Sequence, residues 1–112
     1  MSDLITFEDF SKVKICAGLV IDAVLNQKAK KPAYKLTIDF GPLGVKLSSA
    51  QITEHYTPLD LIGHQVIAVM NFAPKKVAGV VSEVLVLACV CEQQGTILLQ
   101  PTQPVPNGTP VL

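Results

Sequence analysis

The sequence predicts an all-β domain with short helices, built as a small five-stranded barrel. Three observations point to this class. Five segments have strand-like apolar patterns, and one clear helix-start signal lies between the third and the fourth of them. Apolar residues make up 49% of the chain, which is typical of a globular protein. The length of 112 residues fits one domain with a modest core of its own.

The chain begins with a helix signal and then changes to a strand pattern. Thr6 suits an N-cap, and Asp9 three residues on takes the place of the Glu or Gln of a capping box. From residue 13 the apolar period becomes two, which predicts a first strand over 13–22. Its alternating apolar set is Val13, Ile15, Ala17, Leu19 and Ile21. Gly18 near the middle predicts a bend of the kind that small barrels need.

The next two strands are predicted to form a hairpin. The second strand has an inner face of Tyr34, Leu36, Ile38 and Phe40 and an outer face of Lys35, Thr37 and Asp39. "GPLG" is a turn, and a third strand then runs over 45–48 with Lys46 and Ser48 on its outer face. The small residues Ser-Ser-Ala that follow either make a tight joint to the next element or keep a surface open for a partner.

A short helix separates these strands from the last two. Thr57 is a strong N-cap, Pro58 suits the first helical position, Asp60 lies at the third, and Gly63 ends the helix. The last two strands are predicted over 66–72 and 81–90, with "APKKVAG" as a loop between them. The order of three strands, a helix and two strands is that of an OB-fold, a five-stranded Greek-key barrel. Another small barrel is the alternative.

Segments outside the barrel divide the chain into an N-terminal helical extension over 1–12, the barrel over 13–91 and a C-terminal extension over 92–112. The C-terminal extension is too apolar for a solvated tail, since it contains Ile97, Leu98, Leu99, Val105, Val111 and Leu112. We expect it to form a homodimer together with Phe7 and Phe10 of the N-terminal helix. Folding back onto its own barrel is the alternative.

The lysines are sorted by position although the net charge is zero. OB-folds bind oligonucleotides on strands two and three and on the two flanking loops. Seven of the nine lysines map there, namely Lys28, Lys30, Lys31, Lys35, Lys46, Lys75 and Lys76. The chain has no arginine, and Tyr34 and Phe40 are predicted to point inward. RNA is therefore expected to bind through its phosphates, without a stacking platform; a merely solvated rim is the alternative.

Other functional classes have little support. Cys16, Cys89 and Cys91 are an odd, scattered set, which predicts reduced structural thiols and no disulfide or metal site. Nothing resembles a secretory signal or a membrane span, so we expect a cytoplasmic protein without membrane insertion. Catalysis and a cofactor are not expected either. No nucleophile elbow or phosphate loop is present around the candidate side chains Ser48, Ser49, Glu54, His55, His64 and Glu83.

Long motifs resemble the CsaA family. They are "KPAYKLTIDFG" over 31–41, "SSAQITEHYTP" over 48–58, "LIGHQVIAVMNFAPKKVAGVVSEVLVL" over 61–87 and "VPNG" over 105–108. This family is part of a wider group of tRNA-binding OB domains that includes the appended domain of some methionyl-tRNA synthetases and EMAP-II-like cytokine precursors. The resemblance implies a homodimer without catalytic activity that binds tRNA. It also implies a chaperone role in protein export, with unfolded or precursor polypeptides as partners.

The resemblance also implies particular RNA-binding residues. Its lysine-and-serine stretch matches Lys46, Ser48 and Ser49, its Asn-x-x-Pro-Lys motif matches Asn71, Pro74 and Lys75, and the serine that opens its last strand matches Ser82. One departure lies on the first strand. Where relatives commonly read Asp-Ile-Arg-Val-Gly, this chain reads Lys14-Ile15-Cys16-Ala17-Gly18, so Cys16 is expected to replace an outer-face arginine.

Overall fold

The computed structural model describes residues 3–112 and consists mainly of short strands. Two short helices, α1 (Phe7–Ser11) and α2 (Pro58–Leu61), and one 3-10 turn (Gly41–Leu43) accompany them. The strands are β1 (Ile15–Leu25), β2 (Tyr34–Asp39), β3 (Val45–Ala50), β4 (Gln65–Val69), β5 (Lys75–Val77), β6 (Val80–Ser82), β7 (Leu85–Val86), β8 (Ala88–Cys91) and β9 (Gly95–Leu98).

Five strands form one antiparallel sheet in the order β3-β2-β1-β4-β7. The sheet curls until its two edges meet. The meeting point is marked by the Glu83 N–H, just before β7, which donates to the carbonyl of Leu47 in β3 at 2.8 Å. The result is a nearly closed five-stranded antiparallel barrel, and the predicted OB-fold is confirmed. The β5–β6 and β8–β9 hairpins are separate two-stranded sheets.

Both helices begin at the predicted caps. The Thr6 side chain accepts from the Asp9 N–H, and the Asp9 carboxylate accepts from the Thr6 N–H in return. Thr57 and Asp60 make the same reciprocal pair at α2. Each box satisfies two backbone donors that a helix start otherwise leaves to water. These local signals could be read directly from the sequence because they involve residues only three apart.

Before the register shift between Val20 and Asp22, the β1 side chains in the core cluster alternate with the predicted apolar set. Cys16 and Val20 are buried in the core cluster, whereas Ile21 is exposed. The expectation that Cys16 lies on the outer face was therefore wrong. Gly18 lies under the Phe40 ring, where an added Cβ would be 2.5 Å from Phe40 Cε1. The bulky ring occupies the space that a side chain at position 18 would need.

The faces were correct on β2 and wrong on β3. Alternate residues of β2, beginning with Tyr34, are buried as predicted. In an antiparallel pair, directly opposed residues point to the same side of the sheet. Leu36 opposes Ser48 and Ile38 opposes Lys46, so Ser48 and Lys46 lie on the inward side of β3. The outer side carries Ser49 opposite Lys35, together with Leu47 and Val45.

The last predicted strand, 81–90, is three shorter ones. A straight strand is interrupted because β6 pairs back with β5, while β7 pairs with β4 and β8 with β9. The predicted loop "APKKVAG" is largely the β5–β6 hairpin, turned at Ala78 and Gly79 with φ of 49° and 86°. Positive φ at both central residues matches the right-handed twist of a two-residue hairpin.

The C-terminal segment folds back onto its own barrel. The Val111 N–H donates to the Ile15 carbonyl at 2.8 Å and the Gly108 N–H to the Ala17 carbonyl at 2.7 Å, along the part of β1 that β2 does not cover. Gln65 holds the segment as well, since its side chain bonds both backbone groups of Val105. The alternative weighed from the sequence therefore applies to residues 105–111.

The predicted division at 1–12, 13–91 and 92–112 remains a prediction. Cys91 is the last residue of β8, and the partner strand β9 lies beyond it in the predicted extension. Cys16, Cys89 and Cys91 are free thiols. Within residues 3–112, no helix is long and apolar enough to cross a bilayer. Over the same range, no group of three or more His, Cys, Asp or Glu side chains is placed to hold a metal ion.

Candidate nucleic-acid interface

Lysines from three parts of the chain meet around the β5–β6 hairpin. Lys35 lies on the outer side of β2, and Lys28 lies in the loop between β1 and β2. Lys28 covers the hairpin turn, since a Cβ added at Gly79 would lie 3.8 Å from Lys28 Nζ. Lys75 belongs to β5 itself. We call Lys28, Lys35, Ser49, Lys75 and Ser82 the lysine face.

The loop is held to the hairpin by side-chain hydrogen bonds. Asn26 Nδ2 donates to the Ala78 carbonyl at 3.3 Å, and Asn26 Oδ1 accepts from the Lys28 N–H at 3.1 Å. An Asx-type bond of this kind stabilises a turn locally. The backbone of Lys28 is therefore fixed against the hairpin. These hydrogen bonds bring two segments that are far apart in sequence to one surface.

Two clefts open on this surface, one at the turn of the hairpin and one beside its strands. One of about 430 Å³ is lined by Lys28 and Lys35 together with residues 24–27 and 78–80. The other, of about 480 Å³, is lined by Ser49, Phe72, Ala73, Lys75, Val77, Ser82, Glu83, Val84 and Leu85, and we call it the Phe72 cleft. Lys35 and Ser49 are cross-strand neighbours, so the two clefts adjoin across this pair.

Adjacent lysines of β5 point to opposite sides of the hairpin. Lys75 opposes Ser82, and both line the Phe72 cleft. Lys76 opposes Val81, which is exposed on the other side. Lys30 and Lys31 are exposed in the loop between β1 and β2. Of the seven predicted lysines, the structure thus brings together Lys28, Lys35 and Lys75.

Two residues predicted on the outer face lie elsewhere. Ser48 is 1% exposed, and its hydroxyl donates to the Val84 carbonyl at 2.9 Å inside the barrel. A side chain so placed stabilises the barrel and does not reach an external ligand. Lys46 is half-buried on the same inward side of β3. The neighbouring serine, Ser49, is on the outer side and lines the Phe72 cleft.

Asn71 fixes the segment after β4 at the foot of α1. Its Oδ1 accepts from the Lys14 N–H at 2.9 Å, and its Nδ2 donates to the Lys12 carbonyl at 2.7 Å. Both ends of the amide are thus used within the chain. Ser82 is used similarly, because its hydroxyl accepts from the Ser49 N–H at 3.1 Å and donates to the Val84 carbonyl at 3.3 Å.

Phe72 is the surface residue that the sequence analysis missed. It was placed at the end of a strand over 66–72, but β4 ends at Val69 and leaves Phe72 in the loop, 58% exposed. An aromatic side chain this exposed beside lysines is the kind of platform on which OB-folds stack bases. The signal available in the sequence was "NFAPKK", an aromatic residue followed by Pro and two lysines where an apolar strand ends.

A further cleft, of about 590 Å³, contains both histidines. His55 and His64 line it together with Asp60, Tyr56 and other residues of α2 and β9. The hydrogen bonds from Thr57 hold the pKa of the Asp60 carboxyl below its ordinary value, with His64 adding a smaller electrostatic effect in the same direction. Asp60 therefore acts as the charged third-position partner of Thr57 in the capping box of α2, which is a structural role.

A family model described as a putative tRNA binding domain matches residues 15–110. Among curated proteins, a methionine–tRNA ligase of Methanococcoides burtonii is 42% identical over 107 residues, or 96% of this chain. The chain spans only 16% of that ligase. The similarity is thus to one segment of a much longer enzyme.

Two solved structures match over nearly their whole length. A CsaA chaperone from Bacillus anthracis has a TM-score of 0.92 and 51% identity, covering 97% of this chain and 99% of its own. A CsaA chaperone from Picrophilus torridus has a TM-score of 0.91 and 44% identity, covering 97% of this chain and 100% of its own. The resemblance to CsaA inferred from the motifs is confirmed, and the chain belongs to the family of tRNA-binding domains.

Proposed function

We propose that this protein is a non-catalytic, homodimeric tRNA-binding protein of the CsaA type that holds structured RNA on its lysine face. The observation that carries the proposal is the convergence of Lys28, Lys35 and Lys75 around the β5–β6 hairpin. Lysine is a compact point charge suited to phosphate oxygens. The match to a tRNA-binding family supports RNA as the source of those phosphates.

The homodimer part of the proposal rests on exposed apolar side chains at the chain ends. Phe7 of α1 is 77% exposed, and it lines a small cleft together with Phe10, Val13, Val111 and Leu112. Such a patch is costly to leave in water. The other predicted dimer residues are elsewhere: Ile97 and Leu98 line the cleft beside α2, Leu99 is exposed after β9, and Val105 is held by Gln65.

The dimer is tested by sedimentation of the wild type and of Phe7→Ser. We expect the wild type to sediment at twice the 12.0 kDa chain mass. The variant should dissociate into monomers at a higher protein concentration than the wild type does. Leu59→Ser is the control, because Leu59 on α2 is about as exposed as Phe7 but lies outside the patch. Equal behaviour of the two variants would remove Phe7 from the interface.

The RNA part is tested with two triple variants that change the charge equally. Lys28, Lys35 and Lys75 are replaced by Ala in one, and Lys12, Lys46 and Lys76, which lie outside the lysine face, in the other. We expect the first to lose at least tenfold in affinity for folded tRNA at about 0.1 M salt, and the second to lose much less. An equal loss in both would mean that only net charge matters.

The second candidate function is an export-related chaperone that binds unfolded or precursor polypeptides. It is favoured by the apolar lining of the Phe72 cleft and by the similarity to two proteins described as CsaA chaperones. Binding of an unfolded polypeptide to apolar surface should persist at 0.5 M salt, where phosphate contacts are screened. Binding of a reduced, unfolded model protein, measured in that salt, distinguishes the two candidates.

A cytoplasmic location is part of the same proposal. All three cysteines are free thiols, and Cys89 is exposed to solvent. Exposed free thiols are typical of proteins in reducing compartments. Localisation of a tagged full-length chain by fractionation tests this directly, and recovery of the protein with Cys89 oxidised would argue against it.

A further inference from the structure

The Phe72 cleft differs chemically from the rest of the lysine face. Its walls are apolar, being formed by Phe72, Val77, Val84 and Leu85. Its volume of about 480 Å³ is within the range of roughly 300–1,000 Å³ that suits small organic ligands. A phosphate has no favourable partner on apolar walls. A flat, weakly polar group attached to a phosphate can pack against such walls.

The rim of the cleft carries one positive and one negative group. Lys75 lines it from β5. Glu83 lines it from the barrel seam, where one carboxylate oxygen accepts from the Leu47 N–H at 3.0 Å and the Glu83 N–H donates to the Leu47 carbonyl. These two bonds fix the carboxylate in place and use one of its two oxygens. A carboxylate can only accept hydrogen bonds, and it repels phosphate.

We propose that the Phe72 cleft binds one unpaired nucleobase of the RNA, stacked on the Phe72 ring. The inference rests on the proposed RNA binding and identifies the part of the RNA that the Phe72 cleft recognises. The nucleotide's phosphate meets Lys75 at the rim, and the base enters the apolar cleft. Every base has a flat face, so stacking alone is sequence-tolerant.

Glu83 adds a preference among the bases. Cytosine, adenine and guanine carry amino groups that donate to a carboxylate, as in the pairing of Glu with cytosine N4. Uracil has no amino group, and its one free donor on this edge, N3–H, lies between two carbonyl oxygens that repel a carboxylate. The cleft therefore favours an amino-bearing base over uracil. The exposed Phe72 ring and the match to a tRNA-binding family favour RNA over an extended polypeptide as the occupant.

The stacking contact is tested by Phe72→Leu, which keeps apolar bulk and removes the aromatic face. We expect affinity for folded tRNA and for a single-stranded oligocytidine to fall by about 5- to 150-fold. The slope of log Kd against log salt should stay unchanged, because no phosphate contact is lost. Leu59→Ala is the control for an exposed apolar residue outside the cleft, and melting curves of both variants verify folding.

The base preference is tested by Glu83→Gln, which keeps a carbonyl oxygen for the Leu47 N–H and adds a donor. The wild type should bind oligocytidine more tightly than oligouridine of equal length. In the variant that preference should shrink by about tenfold or more, as expected for losing a charge-assisted hydrogen bond. Unchanged preference in a folded Glu83→Gln variant would remove Glu83 from base recognition.

Three outcomes would each overturn a different proposal: the base-binding cleft, its assignment to RNA, or tRNA binding as a whole. If the wild type and Phe72→Leu bind tRNA with the same affinity, the Phe72 cleft does not bind a base. The proposal that the lysine face binds RNA would be unaffected. A Phe72→Leu variant that loses only affinity for unfolded polypeptide would assign the cleft to polypeptide instead. No binding of tRNA by the wild type even at low salt would overturn the proposed function itself.

Discussion

Replacing Ser48 by Ala distinguishes a structural role of this side chain from an RNA-binding role. Ser48 was predicted on the outer face of its strand, but the structure places it inside the barrel. Its hydroxyl is buried and donates to the Val84 carbonyl at 2.9 Å. A buried hydrogen bond contributes about 0.5–1.5 kcal/mol. The Val84 carbonyl also accepts from the Ser82 hydroxyl at 3.3 Å, so the substitution leaves it with a partner. We therefore expect a loss of about 1 kcal/mol in the free energy of unfolding.

For a domain of this size, such a loss lowers Tm by about 3 to 6 °C. Circular dichroism at a fixed protein concentration measures Tm, and anisotropy of labelled tRNA at fixed salt measures affinity. Ser49→Ala is the matched control, because Ser49 is half-buried on the outer side of the same strand. We expect Ser48→Ala to melt earlier and bind tRNA normally. A tenfold loss of affinity at an unchanged Tm would refute the structural role.

Three other measurements test the core. Gly18→Ala would place a Cβ 2.5 Å from Phe40 Cε1 and 2.7 Å from Ile38 Cγ2, and overpacking of this kind costs about 1–3 kcal/mol, measurable by urea unfolding. An unchanged urea midpoint would contradict the close approach of the Phe40 ring. Alkylation of the native protein should modify Cys89 quickly and Cys16 only on unfolding, because Cys16 is buried in the core. Burial also raises the pKa of the Cys16 thiol above its ordinary value of 9.0, so its contribution to stability is present below pH 9.0 and decreases as the pH rises through the raised pKa. A Cys16→Ala variant with the same alkaline stability profile as the wild type would contradict that.

The sequence predicted what depends on residues near one another. The two capping boxes involve partners three apart, and the inner face of β2 repeats every second residue. The element order then sufficed for the OB-fold. The face of β3 did not follow from the same reasoning. Ser48 and Lys46 are polar enough to look external, yet pairing with Leu36 and Ile38 turns them inward.

The seam that closes the barrel explains why small polar residues are found there. The Ser48 hydroxyl and the Ser49 N–H both bond to the segment 82–84 across the seam. The question left open at Ser-Ser-Ala is thereby answered for Ser48, which makes a joint, while Ser49 remains on the outer surface. These bonds join residues more than thirty positions apart, which periodicity cannot predict.

Only part of the candidate site could be anticipated. The loop positions of Lys28 and Lys75 followed from the general layout of OB-folds. The opposite orientations of Lys75 and Lys76 depend on the β5–β6 hairpin. The apolar pattern of residues 81–90 predicted one long strand and therefore gave no sign of this hairpin. Phe72 was missed for a similar reason, because β4 stops three residues earlier than the apolar run does.

Lys75→Ala tests whether RNA phosphates contact the lysine face. Fluorescence anisotropy of labelled tRNA is followed across a salt series for the wild type, Lys75→Ala and Lys76→Ala. Each neutralised phosphate contributes about 0.7–0.9 to the slope of log K against log salt. We expect a steep wild-type slope that becomes shallower by about one such contribution in Lys75→Ala and changes little in Lys76→Ala. A flat slope in the wild type, or the same slope in all three proteins, would contradict it.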